Sequence, residues 1–425
     1  MTTTPLSSPA FRIAALGVLA LAACAPGAPP PDEPRPPALS DITPIQAPSG
    51  PGAGEPNLAL TPDGAFLLSW IEPAGDDRVA LRFSRRPPGG MWSEPRTIAE
   101  GDDWFVNWAD FPSVASLPDG TLFAHWLQRS GAGTYAYDVR LAISRDAGHT
   151  WGESFTPHRD GTLSEHGFVS LVPLDADRMG VVWLDGRESV DVEGNPKSHG
   201  EHGAQMTLRY AAVPADGGSW DEQLLDERVC DCCQTGAARS GASLVAVYRD
   251  RSAEEIRDIA WVRSAGDAWS TPAIVGADGW KIEGCPVNGP ALDGDASGRA
   301  VVAWFGAPEG GAHVRVAFSH DEGATWSAPI GIDDGRPIGR VDAVLLPGGE
   351  ALVSWLGQTN SGTQLLARRV SASGADAEAQ PIGESDAARS GGFPRMAVSG
   401  DEVLFAWRGR GEPGGLRLAT ARVTR

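Results

Sequence analysis

The sequence predicts an all-β protein: a β-propeller of seven four-stranded antiparallel blades, with six blades as the alternative. The chain has no long stretch of helical periodicity. Instead, an aromatic residue recurs near the end of a strand-like run, at Trp70, Trp126, Trp183, Tyr248, Trp304, Trp355 and Trp407. A short strand-like run precedes each of these runs and another follows it. Units of this kind, repeated around an axis, are typical of propellers, in which each blade packs against its neighbours.

The seventh unit contains three strand-like runs, whereas six units show a fourth. The only strand-like run ahead of the first unit is DITPIQAP, which begins at Asp41. We expect this run to supply the fourth strand of the seventh blade, because pairing the two ends of the propeller removes a free sheet edge. The propeller is therefore predicted to span 41–425.

The N-terminal segment has the features of an export signal. An apolar run from Ile13 to Ala23 is too short to cross a bilayer and has the length of a secretory signal core. The following Cys24 completes the sequence LAAC, which resembles the lipobox of bacterial lipoproteins. This resemblance implies a signal peptide over 1–23 and lipidation of Cys24. Since Ala25 is not aspartate, it also implies an outer-membrane protein that faces the periplasm or the cell surface. Proline-rich residues 24–40 predict an extended tether.

The formal net charge of −20 limits the classes of partner. Nucleic acid is not expected, because its phosphates require a basic face. The expected partners are the membrane, through the lipid anchor, and a glycan or envelope protein. We expect a monomer that carries no cofactor.

Two predicted turns carry a more specific motif, S-x-D-x-G-x-T-W, at 144–151 and 319–326. In such a turn the aspartate and a hydroxyl bind backbone amides, and the glycine provides a positive φ. The motif resembles the Asp-box of bacterial neuraminidase repeats, which are found in sialidase-like propellers. This resemblance implies the fold and, as an alternative function, a glycoside hydrolase of the exo-α-sialidase type. The arginine motif and the tyrosine–glutamate nucleophile of that family are not recognisable here, so whether the protein is an enzyme stays open.

The long connections all fall on the face where first strands begin and second strands end, and functional residues favour such loops. A ligand-binding protein without catalytic activity is the first hypothesis for this face. A glycosidase would need two carboxyl groups across a cleft, and the candidates are Asp110, Asp185, Asp250 and Glu165. The candidate ligand-binding residues are Trp104, Trp108, His166, Arg187, Arg251, Arg340 and Arg395. The alternative for the arginines is salt bridges between blades, and for the tryptophans it is core packing.

Four cysteines remain after Cys24. Because thiols tend to be oxidised in the cell envelope, the first hypothesis is two disulfides among them, and they are Cys230, Cys232, Cys233 and Cys285. Alignment of the fourth and fifth units places Cys232, Cys233 and Cys285 at equivalent positions of adjacent blades. A weaker alternative is a Zn or Cu(I) site of Cys232, Cys233, Cys285 and His166, with His199 and His202 in a nearby loop. A redox-active thiol pair is a third possibility.

Overall fold

The computed structural model describes residues 1–2, 37–190, 205–266, 268–375, 377–411 and 415–424. Cys24, His199 and His202 lie outside these residues, as do the predicted signal peptide and most of the tether. The described chain from residue 37 onward forms a seven-bladed β-propeller, which confirms the predicted fold class. In the part of the chain that the structure describes, no helix has the length and apolar character required to cross a membrane.

The first three blades and the strand that precedes them contain β1 (Leu39–Ile45), β2 (Gly54–Leu60), β3 (Phe66–Gly75), β4 (Arg78–Arg86), β5 (Arg96–Gly101), β6 (Ser113–Ser116), β7 (Leu122–Arg129), β8 (Tyr137–Ser144), β9 (His166–Pro173), β10 (Arg178–Asp185), β11 (Met206–Pro214) and β12 (Glu222–Val229). A 3₁₀ turn, Arg187–Ser189, follows β10.

The remaining blades contain β13 (Gly236–Ser240), β14 (Ser243–Arg249), β15 (Ile259–Ala265), β16 (Ala268–Trp269), β17 (Ala273–Gly276), β18 (Ala291–Gly294), β19 (Ala300–Gly306), β20 (His313–Ser319), β21 (Ile330–Gly331), β22 (Pro337–Leu345), β23 (Ala351–Thr359), β24 (Gly362–Ser371), β25 (Gly374–Ala375), β26 (Gln380–Glu384), β27 (Arg395–Ser399), β28 (Glu402–Arg408) and β29 (Leu416–Val423). A second 3₁₀ turn, Arg389–Gly391, precedes β27.

The ring closes through the N-terminal strand, as the sequence predicts. The last sheet has the order β1-β29-β28-β27, so β1 is its outermost strand. It pairs antiparallel with β29, with Leu39 opposite Val423 and Ile45 opposite Leu418. The backbone N–H of Leu39 also donates to the Gln380 Oε1 atom at 2.8 Å, which ties the closing strand to the sixth blade.

The second blade departs from four full strands. Its sheet contains only β6, β7 and β8, and its outer edge is a single bridge between Leu141 and Phe155. Two backbone hydrogen bonds of 2.7 and 2.9 Å form this bridge. Pro157 follows two residues later, and its missing N–H cannot extend a strand ladder.

The repeated aromatic residues pack between blades, and several of them also hold an acidic side chain. Trp70 and Trp183 are fully buried. Their indole N–H groups donate to Glu72 at 2.7 Å and to Asp185 at 2.8 Å. In these two units an acidic residue, Glu72 or Asp185, stands two positions after the repeated tryptophan. Its carboxylate fixes the indole ring within the blade.

Both Asp-box turns have the expected local geometry. In the second, the Asp321 carboxylate accepts from the Thr325 backbone N–H at 2.9 Å and from the Thr325 hydroxyl at 2.6 Å. The Ser319 hydroxyl accepts from the Gly323 N–H at 2.9 Å. Gly323 has a φ of 77°, and a Cβ on it would lie 2.5 Å from Val245 of the neighbouring blade. The turn thus requires glycine both for its backbone and for blade packing.

Candidate functional site

The loop between β5 and β6 covers the axial channel on the loop-rich face. A cavity of about 160 Å³ lies on the axis and is lined by the first strands of all seven blades. Over it, Trp108 stacks on Phe393 with ring centroids 5.7 Å apart, and the Arg340 guanidinium lies 4.8 Å from the Trp108 ring. Gln234 donates to the Ala109 carbonyl from the other side of the channel. Trp108 is therefore part of the channel cover.

Three of the candidate ligand-binding arginines have internal partners. Arg340 donates to the backbone carbonyls of Gly392 and Ala388, at 3.1 and 2.8 Å. Two others make ion pairs: Arg395 lies 3.4 Å from Asp342, and Arg251 contacts both Asp231 and Glu255. Arg395 and Arg251 thus make salt bridges, which were the alternative interpretation of the arginines, whereas Arg340 binds backbone carbonyls.

Trp104 lies between the first and second blades. Its ring stacks on Trp126 with centroids 5.4 Å apart, and only 8% of the residue is exposed. The two indoles line part of a groove of about 340 Å³, together with Asp103 and Gln128. Packing between blades accounts for most of the Trp104 surface, so it offers less area to a sugar than a free indole would.

A buried tyrosine joins two of the predicted catalytic carboxyl groups. The Tyr137 hydroxyl, at the start of β8, lies 2.6 Å from Glu165 Oε1 and 3.4 Å from Asp110 Oδ2. Glu165 immediately precedes β9 and Asp110 lies shortly before β6, so two adjacent blades supply the three side chains. We call Tyr137, Glu165 and Asp110 the acid–tyrosine centre.

The backbone beside this centre is strained and lies unusually close to the Asp110 carboxyl group. The Phe168 N–H donates to Asp110 Oδ1 at 2.8 Å, and Phe168 has a φ of 53°, which is uncommon for a bulky residue. A Cβ on Gly167 would lie only 2.0 Å from Asp110 Oδ2. Gly167 therefore permits the close approach of Asp110 Oδ2. The strained backbone at Phe168 positions the N–H that binds Asp110 Oδ1.

The surroundings of the centre favour protonated carboxyl groups near neutral pH. Burial raises the pKa of Asp110 to about 7, against opposing hydrogen bonds from Phe168 and Tyr137. Burial also raises the pKa of Glu165 to about 8, and the negative charges of Asp110, Asp231 and Cys285 add to the shift. Burial and the two carboxyl groups raise the pKa of Tyr137 well above its ordinary value. The two carboxyl groups can therefore hold protons near neutral pH.

An exposed apolar surface lies beside this centre. Phe105 stacks on the Tyr137 ring with centroids 4.1 Å apart, and its other neighbour, Tyr135, is 61% exposed. Val106 and Leu163 are 43% and 53% exposed. We call these four side chains, Phe105, Val106, Tyr135 and Leu163, the aromatic patch. Aromatic rings next to hydrogen-bonding groups form a surface suited to a sugar ring.

His166 and Asp185 belong to a second buried cluster. The imidazole rings of His166 and His158 stack with centroids 3.8 Å apart, and neither Nε2 atom has a hydrogen-bond partner. Asp160 lies 3.3 Å from His166 Nε2, and Asp185 lies 3.7 Å from it. Arg187 contacts both carboxylates, at 3.2 and 2.7 Å. Arg187 is therefore internally paired.

The charges in this cluster compensate one another. Burial opposes the charged form of His166, but Asp160, Asp185 and Asp138 outweigh it and raise the pKa of the imidazole. Burial likewise opposes ionisation of Asp185, but Arg187 and His166 lower its pKa. Within the described residues, the groupings with metal-ligand spacing join His166 to these acids and to His158, and not to the cysteines. His166 as a ligand in the predicted thiol site is therefore corrected: its ring contacts a different set of side chains.

The structure brings the four predicted cysteines together. The Sγ atoms of Cys230, Cys232 and Cys233 lie within 4.8 Å of one another, and the Cys285 thiol interacts with that of Cys232. None of these four is in an S–S bond. The disulfide hypothesis stays a prediction.

The last catalytic candidate, Asp250, lies apart from the acid–tyrosine centre. Burial raises its pKa to about 6, and the neighbouring charge of Asp226 adds to the shift. Asp226 in turn accepts from the Tyr248 hydroxyl. Of the four predicted carboxyl groups, the structure therefore joins only Asp110 and Glu165. Tyr137 was not among the predicted site residues, although it begins a third strand next to the loop that carries Glu165, and this position was a signal of its role.

Comparison with known proteins supports the fold. No family model and no curated protein matches the chain. Similar solved structures include the polysaccharide lyase Uly1, with a TM-score of 0.51, 9% identity and coverage of 87% of this chain and 90% of that one. A protein of unknown function from Dyadobacter fermentans has a TM-score of 0.47, 14% identity and coverage of 92% and 97%. The NanB sialidase of Streptococcus pneumoniae, as a K499G mutant, has a TM-score of 0.42, 11% identity and coverage of 90% and 94%. At these identities the likeness concerns the fold alone.

Proposed function

We propose that this protein binds a neutral glycan on the aromatic patch beside the acid–tyrosine centre. The observation that carries the proposal is the exposed Tyr135 ring, which packs against Phe105, the residue that stacks on Tyr137 of the acid–tyrosine centre. An aromatic face packs against the apolar face of a sugar, and carboxylic acids exchange hydrogen bonds with its hydroxyl groups. The formal net charge of −20 favours a neutral sugar over one with its own carboxylate.

The location that we propose is the cell envelope. Lipidation of Cys24 would hold the chain at the outer membrane, and residues 24–40 would act as an extended tether. The net charge of −20 would keep the propeller away from an anionic lipid surface. In this position the loop-rich face would meet glycans of the envelope or of the surroundings.

A second candidate function is glycoside cleavage, and the geometry of Glu165 favours it. Its carboxyl group and that of Asp110 both contact the Tyr137 hydroxyl. This places the two closer together than the roughly 6.5–9.5 Å needed to admit water in an inverting glycosidase. In this candidate, protonated Glu165 gives its proton to the leaving oxygen while the Asp110 carboxylate attacks the anomeric carbon, so the glycosidic bond breaks as a glycosyl–enzyme bond forms. Water then hydrolyses that bond, and Glu165 takes up the proton of the water.

The binding proposal predicts that Tyr135→Ala weakens glycan binding about tenfold, because the variant loses the stacking surface. Titration calorimetry against oligosaccharides selected on a glycan array measures the change. Met91→Ala is the matched control, because Met91 is 87% exposed in a turn on the opposite face. Equal affinities for the two variants would contradict the proposed site, and binding of sialosides alone would contradict the preference for neutral sugars.

The second candidate predicts hydrolysis of at least one aryl glycoside, with a rate that falls as the pH rises through about 8. The sign follows from the raised pKa of Glu165, because a general acid is active only while it holds its proton. The charged and titratable groups around it are Tyr137, Asp110, Asp231 and Cys285. Glu165→Gln should abolish the activity, whereas Glu94→Gln, an exposed change on the opposite face, should not. Absence of hydrolysis across neutral and sialic acid substrates would reject this candidate and leave the binding proposal standing.

A further inference from the structure

The cysteine cluster is not used by the proposed function, and its geometry indicates a distinct site. Cys230 directly follows β12, Cys232 and Cys233 lie in the connection to β13, and Cys285 lies in the loop before β18. The cluster thus joins the fourth and fifth blades on the loop-rich face. Cys230 and Cys233 are each only 1% exposed.

The sulfur–sulfur distances fit a common metal ion. Cys230 Sγ and Cys233 Sγ are 3.6 Å apart, and all three sulfurs of the CDCC segment lie within 4.8 Å of one another. A tetrahedral thiolate site has metal–sulfur bonds of about 2.3 Å, which places neighbouring sulfurs about 3.8 Å apart. The spacing of this pair is close to that value, so one ion can contact both sulfurs without a large backbone movement.

The protein places positive charge against the buried sulfurs. The Arg257 guanidinium donates to Cys230 Sγ at 3.1 Å, and Glu255 holds the same guanidinium at 2.6 Å. Arg249 is also close enough to stabilise negative charge on Cys230 and Cys233. Three thiolates on Cu(I), or four on Zn(II), leave about two net negative charges, and buried charge requires compensation. The two arginines supply that compensation, as do the groups that contact the metal-binding side chains at other metal sites.

The site is reachable from solvent on one side. Cys232 is partly exposed and Cys285 is exposed, whereas Cys230 and Cys233 form the buried floor. A second contact fixes the connection itself, because Arg251 pairs with Asp231 inside the CDCC segment at 3.1 Å. The arrangement combines a rigid buried base with an open entry for an ion.

We propose that Cys230, Cys232 and Cys233, with Cys285 as fourth ligand, bind one thiophilic closed-shell cation, Zn(II) or Cu(I). Each ligating thiol releases its proton to solvent when the ion binds, and no electron is transferred. Both ions prefer thiolate sulfur as a donor. Zn(II) is expected to bind all four sulfurs and Cu(I) only three, so the number of bound sulfurs distinguishes the two ions.

The test uses the full chain with Cys24→Ser, purified with reductant and without oxygen. We expect four free thiols when the metal-free protein is unfolded in denaturant, and ready reaction of only Cys232 and Cys285 in the folded protein. Zn(II), or Cu(I) supplied as a preformed complex, should bind at one ion per chain in competition with a chromogenic chelator and should protect the accessible thiols. Protection of both Cys232 and Cys285 indicates Zn(II), and protection of Cys232 with Cys285 still reactive indicates Cu(I). Co(II) should give a thiolate-to-metal charge-transfer band.

Cys233→Ser in the same background should lower the affinity for the ion at least about 100-fold, and Arg257→Gln about 10- to 100-fold. Cys24→Ser alone is the matched cysteine control. If Cys233→Ser does not fold, Cys232→Ser at the partly exposed position replaces it. The proposal is overturned if the ion binds equally to the cysteine variants and the control. It is also overturned if protein purified without reductant contains no metal, has no reactive thiol and is 4 Da lighter than the reduced chain, as two disulfides require.

Discussion

Replacing Asp185 with alanine is expected to lower the free energy of unfolding by about 3–5 kcal/mol, the range for removing one partner of a buried ion pair. Asp185 is fully buried and accepts from the Trp183 indole at 2.8 Å and from Arg187 Nε at 2.7 Å. The alanine variant leaves these donors without that carboxylate and also removes a negative charge from beside His166. Chemical unfolding followed by tryptophan fluorescence measures the loss.

Asp175→Ala is the matched control for this prediction. Asp175 pairs with Arg178 at 2.6 Å, but both side chains are largely exposed, so the pair contributes at most about 1 kcal/mol. Similar losses for the two variants would show that the buried cluster around His166 contributes no more than a surface pair.

The same cluster gives the prediction a pH dependence. The pKa of Asp185 is lowered in the folded state, so its contribution is complete above about pH 4 and is lost as the pH falls through the folded value. The pKa of His166 is raised, so its contribution is complete below about pH 6.5 and is lost as the pH rises through the folded value. The difference between wild type and Asp185→Ala should therefore be largest between about pH 4 and 6.5. The charged neighbours that set this window are Asp138, His158, Asp160, Arg187, Arg209 and Glu222.

Arg249→Met is expected to cost roughly 3–6 kcal/mol, because each buried carbonyl left without its donor costs about 1–3 kcal/mol. The fully buried guanidinium donates to the carbonyls of Arg257, Asn288 and Phe305, at 2.5, 2.7 and 2.6 Å. It also lies 4.9 Å from the Trp280 ring. These contacts join the fourth blade to the fifth, and methionine keeps the apolar stem but none of the donors.

Arg422→Met provides the comparison, because Arg422 pairs with Asp401 on the surface. Surface changes of this kind usually stay within about 0.5 kcal/mol. Chemical unfolding measures the free energy of unfolding of both variants. If Arg249→Met loses no more of it than Arg422→Met, water replaces the guanidinium at the blade junction.

The propeller was predictable because each blade repeats the same local chemistry. The aromatic position, the turn after the first strand and the Asp-box are all short-range features, and the seven copies of the aromatic position indicate the blade count. The closing strand was predictable because DITPIQAP is the only strand-like run in the sequence ahead of the first unit, and it pairs with β29.

The candidate site was only partly predictable because its contacts join different blades. The sequence indicated Asp110 and Glu165 as acids on the correct face, but it gave no sign that Tyr137 links them. The partners of Arg340 are backbone carbonyls, which no residue pattern reveals. Trp104 lies outside the repeated aromatic positions, which suggested an exposed ring, yet it packs on Trp126.

The pairing of β1 with β29 also sets a limit on how the chain acquires its native structure. Leu39 is made long before Val423, yet the two lie opposite each other in one sheet. Contacts between such distant residues form slowly, because a very long loop must close first. The seventh blade therefore cannot be completed before β29 has been made, and β1 cannot pair with it until then. Ring closure is thus expected to be a late folding step.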